Sequence, residues 1–89
     1  MTTLFVRHTV ANYAKWRALY DSFAPVQAKG GVTAEAVYQS VDDPNDITVT
    51  HEFSSLEAAR AFVAAPELKA AMSEAGVVGA PTIWFAEKK

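Results

Sequence analysis

The chain has no cysteine, no long apolar run, no glycine-rich phosphate loop and no surplus of basic residues. Each absence removes a class of function. Without cysteine there are no disulfides, no thiolate metal sites and no cysteine nucleophile. A membrane-spanning helix needs about 20 consecutive apolar residues, and none are present. Ten Asp and Glu residues outnumber eight Lys and Arg, and only Lys88 and Lys89 adjoin. Binding to nucleic-acid phosphates needs clustered Lys and Arg, so it is not expected. Gly30-Gly31 and Gly79 fit no phosphate-cradling motif. Met1-Thr2-Thr3-Leu4 lacks a charged segment leading into an apolar stretch, so no signal peptide is expected. The expectation is a soluble, cytoplasmic protein.

What is there points to one domain spanning residues 1–89. A chain of 89 residues buries only roughly 60–65% of the surface its unfolded form exposes. Yet 51% of its residues are hydrophobic. Either the core is unusually well filled or a second copy covers apolar surface.

Leu4 to Val10 alternates, with Leu4, Val6, His8 and Val10 on one side and Phe5, Arg7 and Thr9 on the other, as a strand does. Asn12 suits a helix N-cap. Tyr13, Trp16, Tyr20, Phe23 and Gln27 then follow helical spacing, until Gly30-Gly31 ends the helix. A second strand is expected over Val32 to Val41, with Ala34, Ala36, Tyr38 and Ser40 sharing one face and Thr33, Glu35, Val37 and Gln39 the other. Asp42-Asp43-Pro44-Asn45 reads as a turn. Asp46 to Phe53 is a third strand with Ile47, Val49, His51 and Phe53 aligned. Ser54 and Glu57 resemble a capping box for a helix carrying Leu56, Ala59, Phe62 and Val63 inward. Pro66 interrupts it, and the apolar stripe resumes with Leu68, Ala71, Met72 and Ala75. Val77 to Pro81 reads as an apolar loop and Thr82 to Glu87 as a last strand.

The order β-α-β-β-α-β predicts an α+β, ferredoxin-like fold: a four-stranded antiparallel sheet with two helices on one face. The expected strand order is 4-1-3-2, with the His8 and His51 strands central. The helix-covered face must be apolar. The opposite face is expected to hold Phe5, Arg7, Thr9, Val37, Gln39, Thr48, Thr50, Glu52 and Trp84. An open face bearing Phe, Val and Trp is a candidate dimer surface. Arg7 and Glu52 are expected to form a cross-strand or cross-dimer ion pair.

Several stretches carry a resemblance. They are Val6-Arg7-His8-Thr9-Val10-Ala11-Asn12-Tyr13-Ala14-Lys15-Trp16, Val37-Tyr38-Gln39-Ser40, the Asp42–Asn45 turn, His51 to Ala59, Ala64 to Leu68, and Ala75-Gly76-Val77. Together they resemble the small dimeric α/β-barrel proteins similar to antibiotic-biosynthesis monooxygenases. Asn12 stands where Asp is common in such sequences, which keeps the cap and drops a charge. The resemblance implies a homodimer with two sheets face to face and a pocket between sheet and helices in each subunit. It covers nearly the whole chain and is specific for fold. For reaction it is unspecific, since the group includes quinone-forming oxygenases, haem degraders and polyketide cyclases.

His8 and His51 are the only histidines, and both are expected on the helix-facing side. The register argues against a shared metal. They fall two to four residues apart along neighbouring strands, on the order of 7–13 Å, and no third ligand offers itself on that face. Either can instead exchange a proton near neutral pH as a general acid or base. The structural alternative is a buried histidine bonded to a carbonyl or a tyrosine. Tyr13, Trp16 and Tyr20, with Tyr38, Phe62 and Met72, are the candidate walls for a flat ligand, the alternative being plain core packing. The functional expectation is a monooxygenase that uses no metal or flavin, acting on a flat, mostly apolar phenol or polyketide. A polyketide-cyclase-like enzyme and a non-catalytic dimeric binding protein are the alternatives.

Overall fold

The computed structural model describes all 89 residues. Strand β1 (Thr2–Val10) leads into helices α1 (Tyr13–Ser22) and α2 (Ala24–Lys29). Strands β2 (Val32–Gln39) and β3 (Asp46–Phe53) form a hairpin, helices α3 (Leu56–Ala64) and α4 (Pro66–Glu74) follow, and β4 (Val77–Glu87) closes the chain. The sheet is antiparallel in the order β2-β3-β1-β4, which is the expected order with the two histidine strands at its centre. In the hairpin turn, Asn45 N–H donates to Asp43 Oδ1 at 2.9 Å.

Alternation decides what β1 and β3 bury. Leu4, Val6, His8 and Val10 of β1 and Ile47, Val49, His51 and Phe53 of β3 are all buried. The core has two parts. One joins Leu4, Val6, Phe53, Ala59 and Phe62. The other joins Val10, Trp16, Ile47, Val49 and Ala75. Each fully buried Leu, Ile or Phe contributes about 1.5–3 kcal/mol relative to exposure.

Each expected helix is two helices. Asn12 caps α1 as expected, its Oδ1 accepting from Lys15 N–H at 3.0 Å. The stripe from Tyr13 to Gln27 then breaks at Phe23, because Pro25 sits in the first turn of α2 and offers no N–H to the preceding turn. Pro66 splits α3 from α4 in the same way, with Ala65 extended between them. The α3 cap is Ser55 rather than Ser54, and its hydroxyl accepts from Ala58 N–H at 3.2 Å. Two adjacent glycines close α2 for different reasons. A Cβ on Gly30 would lie 2.7 Å from the Phe62 ring, whereas Gly31 has φ +94°.

Strand β2 corrects the expected faces. Glu35, Val37 and Gln39 pair with His51, Val49 and Ile47, so they share the helix side. Ala34, Ala36 and Tyr38 pair with Glu52, Thr50 and Thr48 on the open side. The cause is a register shift between Val32 and Ala34. Val32 lies opposite buried Phe53 and packs on the core. Uninterrupted alternation would put Ala34 and Tyr38 beside it. One extra residue at Thr33 reverses the phase of everything after it.

Strand β4 starts at Val77, so the segment expected to be an apolar loop belongs to the sheet, with a register shift opposite Arg7–Thr9. Arg7 pairs with Asp46 rather than Glu52, in a two-pronged contact at 2.6 and 3.1 Å. Register explains the choice: Glu52 sits opposite Thr3, while Asp46 sits opposite Thr9, two residues from Arg7. The pair raises the pKa of Arg7 and lowers that of Asp46.

Candidate functional site

Between the sheet and the helices lies a cavity of about 360 Å³, in which 13 of the 19 lining residues are hydrophobic. Val6, His8, Val49 and His51 form its floor from the two central strands. Trp16, Leu19 and Tyr20 of α1 and Gln27 of α2 make one wall. Phe62 of α3 and Leu68, Ala71 and Met72 of α4 make the other. None of the α4 residues is buried.

Helical spacing and sheet register together produce a row of aromatic rings that runs between floor and walls. His8 meets Trp16 edge-on with centroids 5.6 Å apart. Trp16 stacks on Tyr20 at 4.9 Å, and Tyr20 on His51 at 6.1 Å. His51 meets Phe62 edge-on at 5.5 Å. Trp16 and Tyr20 are one helical turn apart on α1, so they bridge strands whose histidines are offset. His8 pairs with Ile47, and His51 with Leu4. Four residues of register therefore separate the two histidines, on the order of 13 Å along the strands. No three His, Asp or Glu side chains gather as a metal-binding group.

The two histidines have different surroundings. The Tyr20 hydroxyl lies 2.7 Å from Glu35 Oε2 and 3.1 Å from His51 Nε2. His51 Nδ1 is buried without a protein partner. His8 has neither ring nitrogen partnered, although both are buried. Buried polar atoms are rarely left so, and each such case calls for a cause such as a ligand. Burial lowers the pKa of both rings, against the pull of Asp46 on His8 and of Glu35 on His51. For His51 the value falls to about 4. Both are therefore neutral at neutral pH, each with one acceptor nitrogen. Burial and the bond to Glu35 raise the Tyr20 pKa, with Gln27 and Arg17 acting in the opposite sense. The phenol thus keeps its proton.

Six of the eight expected site residues border the cavity: His8, His51, Trp16, Tyr20, Phe62 and Met72. Tyr13 does not. It packs beside Trp16 with ring centroids 6.0 Å apart. Tyr38 does not either, being 57% exposed on the open face because of the shift at Thr33. Sequence reasoning missed Glu35, assigned to the wrong face, and Gln27, which is buried and borders the cavity. Gln27 was legible as a polar residue two helical turns after Tyr20. Glu35 carried no such signal.

Residues 5–74 match the antibiotic biosynthesis monooxygenase family. The chain belongs to that family. No curated protein matches it. Solved structures share its fold at low identity. An inferred antibiotic biosynthesis monooxygenase from Bordetella bronchiseptica superposes with a TM-score of 0.85 at 13% identity, covering 99% of this chain and 96% of that one. An inferred family member from Caulobacter crescentus gives 0.79 at 19% identity, covering 99% and 89%. SnoaB, a cofactor-independent oxygenase from Streptomyces nogalater, gives 0.75 at 17% identity, covering 99% and 94%.

Proposed function

We propose that this family member is a monooxygenase that needs no metal or flavin and oxidises a flat, mostly apolar phenolic or polyketide-like substrate within the cavity. The observation carrying this reading is His51. It is a neutral, buried imidazole with a bare nitrogen, on the floor of an aromatic-lined cavity. Such a group can take a proton from a phenol or enol. The resulting carbanion transfers electrons to dioxygen and forms a C–O bond. Loss of water then leaves a carbonyl where a CH₂ stood, so one oxygen atom enters the substrate and the other leaves as water. Trp16 and Tyr20 orient the ring, and Phe62 and Met72 close over it. His8, whose ring nitrogens are unpartnered, holds a polar group at the other end of the substrate.

The protein works as a homodimer in this reading. On the open face Phe5 and Trp84 stack with centroids 5.1 Å apart. Trp84, Tyr38 and Val78 are exposed on that same face. A single-chain mass in light scattering at micromolar protein would overturn that assembly.

Oxygen uptake on a panel of anthrones, naphthols and quinols tests the reaction. Protein freed of metal and flavin is expected to consume oxygen with at least one of them, and folded His51→Ala to lose that activity. Full activity in His51→Ala removes the proposed base.

A further inference from the structure

We infer that Tyr20 and Glu35 form a proton relay that holds His51 in its Nε2–H tautomer and joins the cavity to solvent. This rests on His51 as the acid–base group of the proposed reaction and adds the two residues that prepare it. Counting protons decides the direction of each bond. The Tyr20 hydroxyl has one proton and two hydrogen-bond partners, Glu35 Oε2 at 2.7 Å and His51 Nε2 at 3.1 Å; the Gln27 side chain also acts on it, as a donor that needs none of that proton. A carboxylate can only accept. The Tyr20 proton therefore goes to Glu35, and the phenol oxygen accepts from His51 Nε2–H. That leaves Nδ1 as the bare acceptor, buried and unpartnered in the protein. Such a chain runs from a buried ring to an exposed carboxylate, and at its buried end each bond strengthens the next.

The geometry also gives the proton a way out. As Nδ1 takes a proton from the substrate hydroxyl, Nε2 passes its own to the Tyr20 oxygen, and Tyr20 passes its proton to Glu35. The substrate ends as an anion and Glu35 as a neutral acid, with Tyr20 unchanged and His51 protonated on Nδ1. Glu35 is exposed on edge strand β2, so it releases the proton to water. The reverse sequence resets the histidine and returns a proton to the product. Tyr20 and Glu35 are positioning residues for this chemistry, since they act through His51.

Long-range ¹H–¹⁵N correlation spectra of ligand-free, ¹⁵N-labelled protein at neutral pH read the tautomer. Wild type is expected to show His51 protonated on Nε2 and bare on Nδ1. In Tyr20→Phe the acceptor for Nε2–H is gone. In Glu35→Gln the new amide can donate to the phenol oxygen and turn its proton toward Nε2. Both variants are expected to lower the Nε2–H to Nδ1–H ratio of His51 several-fold, with His8 unchanged. Glu35 is exposed, so Glu35→Gln stays readable even where loss of the Tyr20 hydroxyl loosens α1. A wild-type His51 protonated on Nδ1 overturns the relay, and so does an unchanged ratio in either folded variant. Because no substrate is used, failure on the oxygen-uptake panel would refute the proposed reaction and leave the tautomer result standing.

Discussion

The two ends of the cavity are built from the same parts and finished differently. Each has a buried histidine on a central strand, an aromatic neighbour and its own apolar cluster. At the His51 end the ring meets Phe62 and bonds to Tyr20, which bonds to Glu35. At the His8 end the ring meets Trp16, and neither nitrogen has a partner. Burial depresses the pKa of both. The difference teaches that burial alone does not fix a histidine tautomer. In the proposed relay two polar side chains, Tyr20 and Glu35, define which nitrogen of His51 is free. At His8 no side chain of the protein does so.

The largest effects come from the two aromatic supports. Phe62→Ala and Trp16→Ala are each expected to cost about 3–5 kcal/mol in urea unfolding, a large share of the roughly 5–15 kcal/mol that holds a domain together. Similar losses would show that both ends carry the fold equally. A loss at only one end would show that the other cluster is dispensable.

Acid comes next. The folded His51 pKa of about 4 lies below the ordinary value of 6.5, so the unfolded chain binds the proton first. Stability contributed by the neutral ring is complete above pH 6.5 and falls as pH drops to about 4, by about 3 kcal/mol in total. His8 acts in the same direction. Asp46, with its lowered pKa, adds a loss only below the ordinary 3.8. Denaturant midpoints from pH 7 to 4 should fall in wild type and fall less in His51→Leu. A slope unaffected by that substitution would place the acid sensitivity elsewhere.

The smallest effect separates the ends by size. His8→Leu removes two unpartnered buried nitrogens and is expected to stabilise the protein by about 1–2 kcal/mol. His51→Leu also breaks the bond to Tyr20, so its gain should be smaller by roughly 1 kcal/mol. Equal gains at neutral pH would mean that the Tyr20 contact holds nothing.

The sequence made the frame readable because β1 and β3 alternate strictly. Ile47, Val49, His51 and Phe53 announce both a strand and its buried face, and the register of His8 and His51 follows. Tyr38 and Glu35 were misread for one physical reason. Strand β2 has small or polar residues on both sides, so its pattern cannot report the extra residue at Thr33 that reverses it. Pro25 marks the split of the first helix, but the aromatic stripe running across it reads as one continuous helix. The relay was not legible, since it joins α1, β2 and β3 and depends on that same reversed phase. The unpartnered nitrogens of His8 depend on packing that no spacing encodes.

The most direct test compares the two histidines on one substrate from the panel, separating kcat from KM. His51→Gln is expected to lower kcat by at least about 100-fold, the usual weight of a general base, with KM little changed. His8→Gln is expected to raise KM several-fold and leave kcat near wild type. If both folded variants lose kcat alike, or neither does, the division of labour between the two ends of the cavity is wrong.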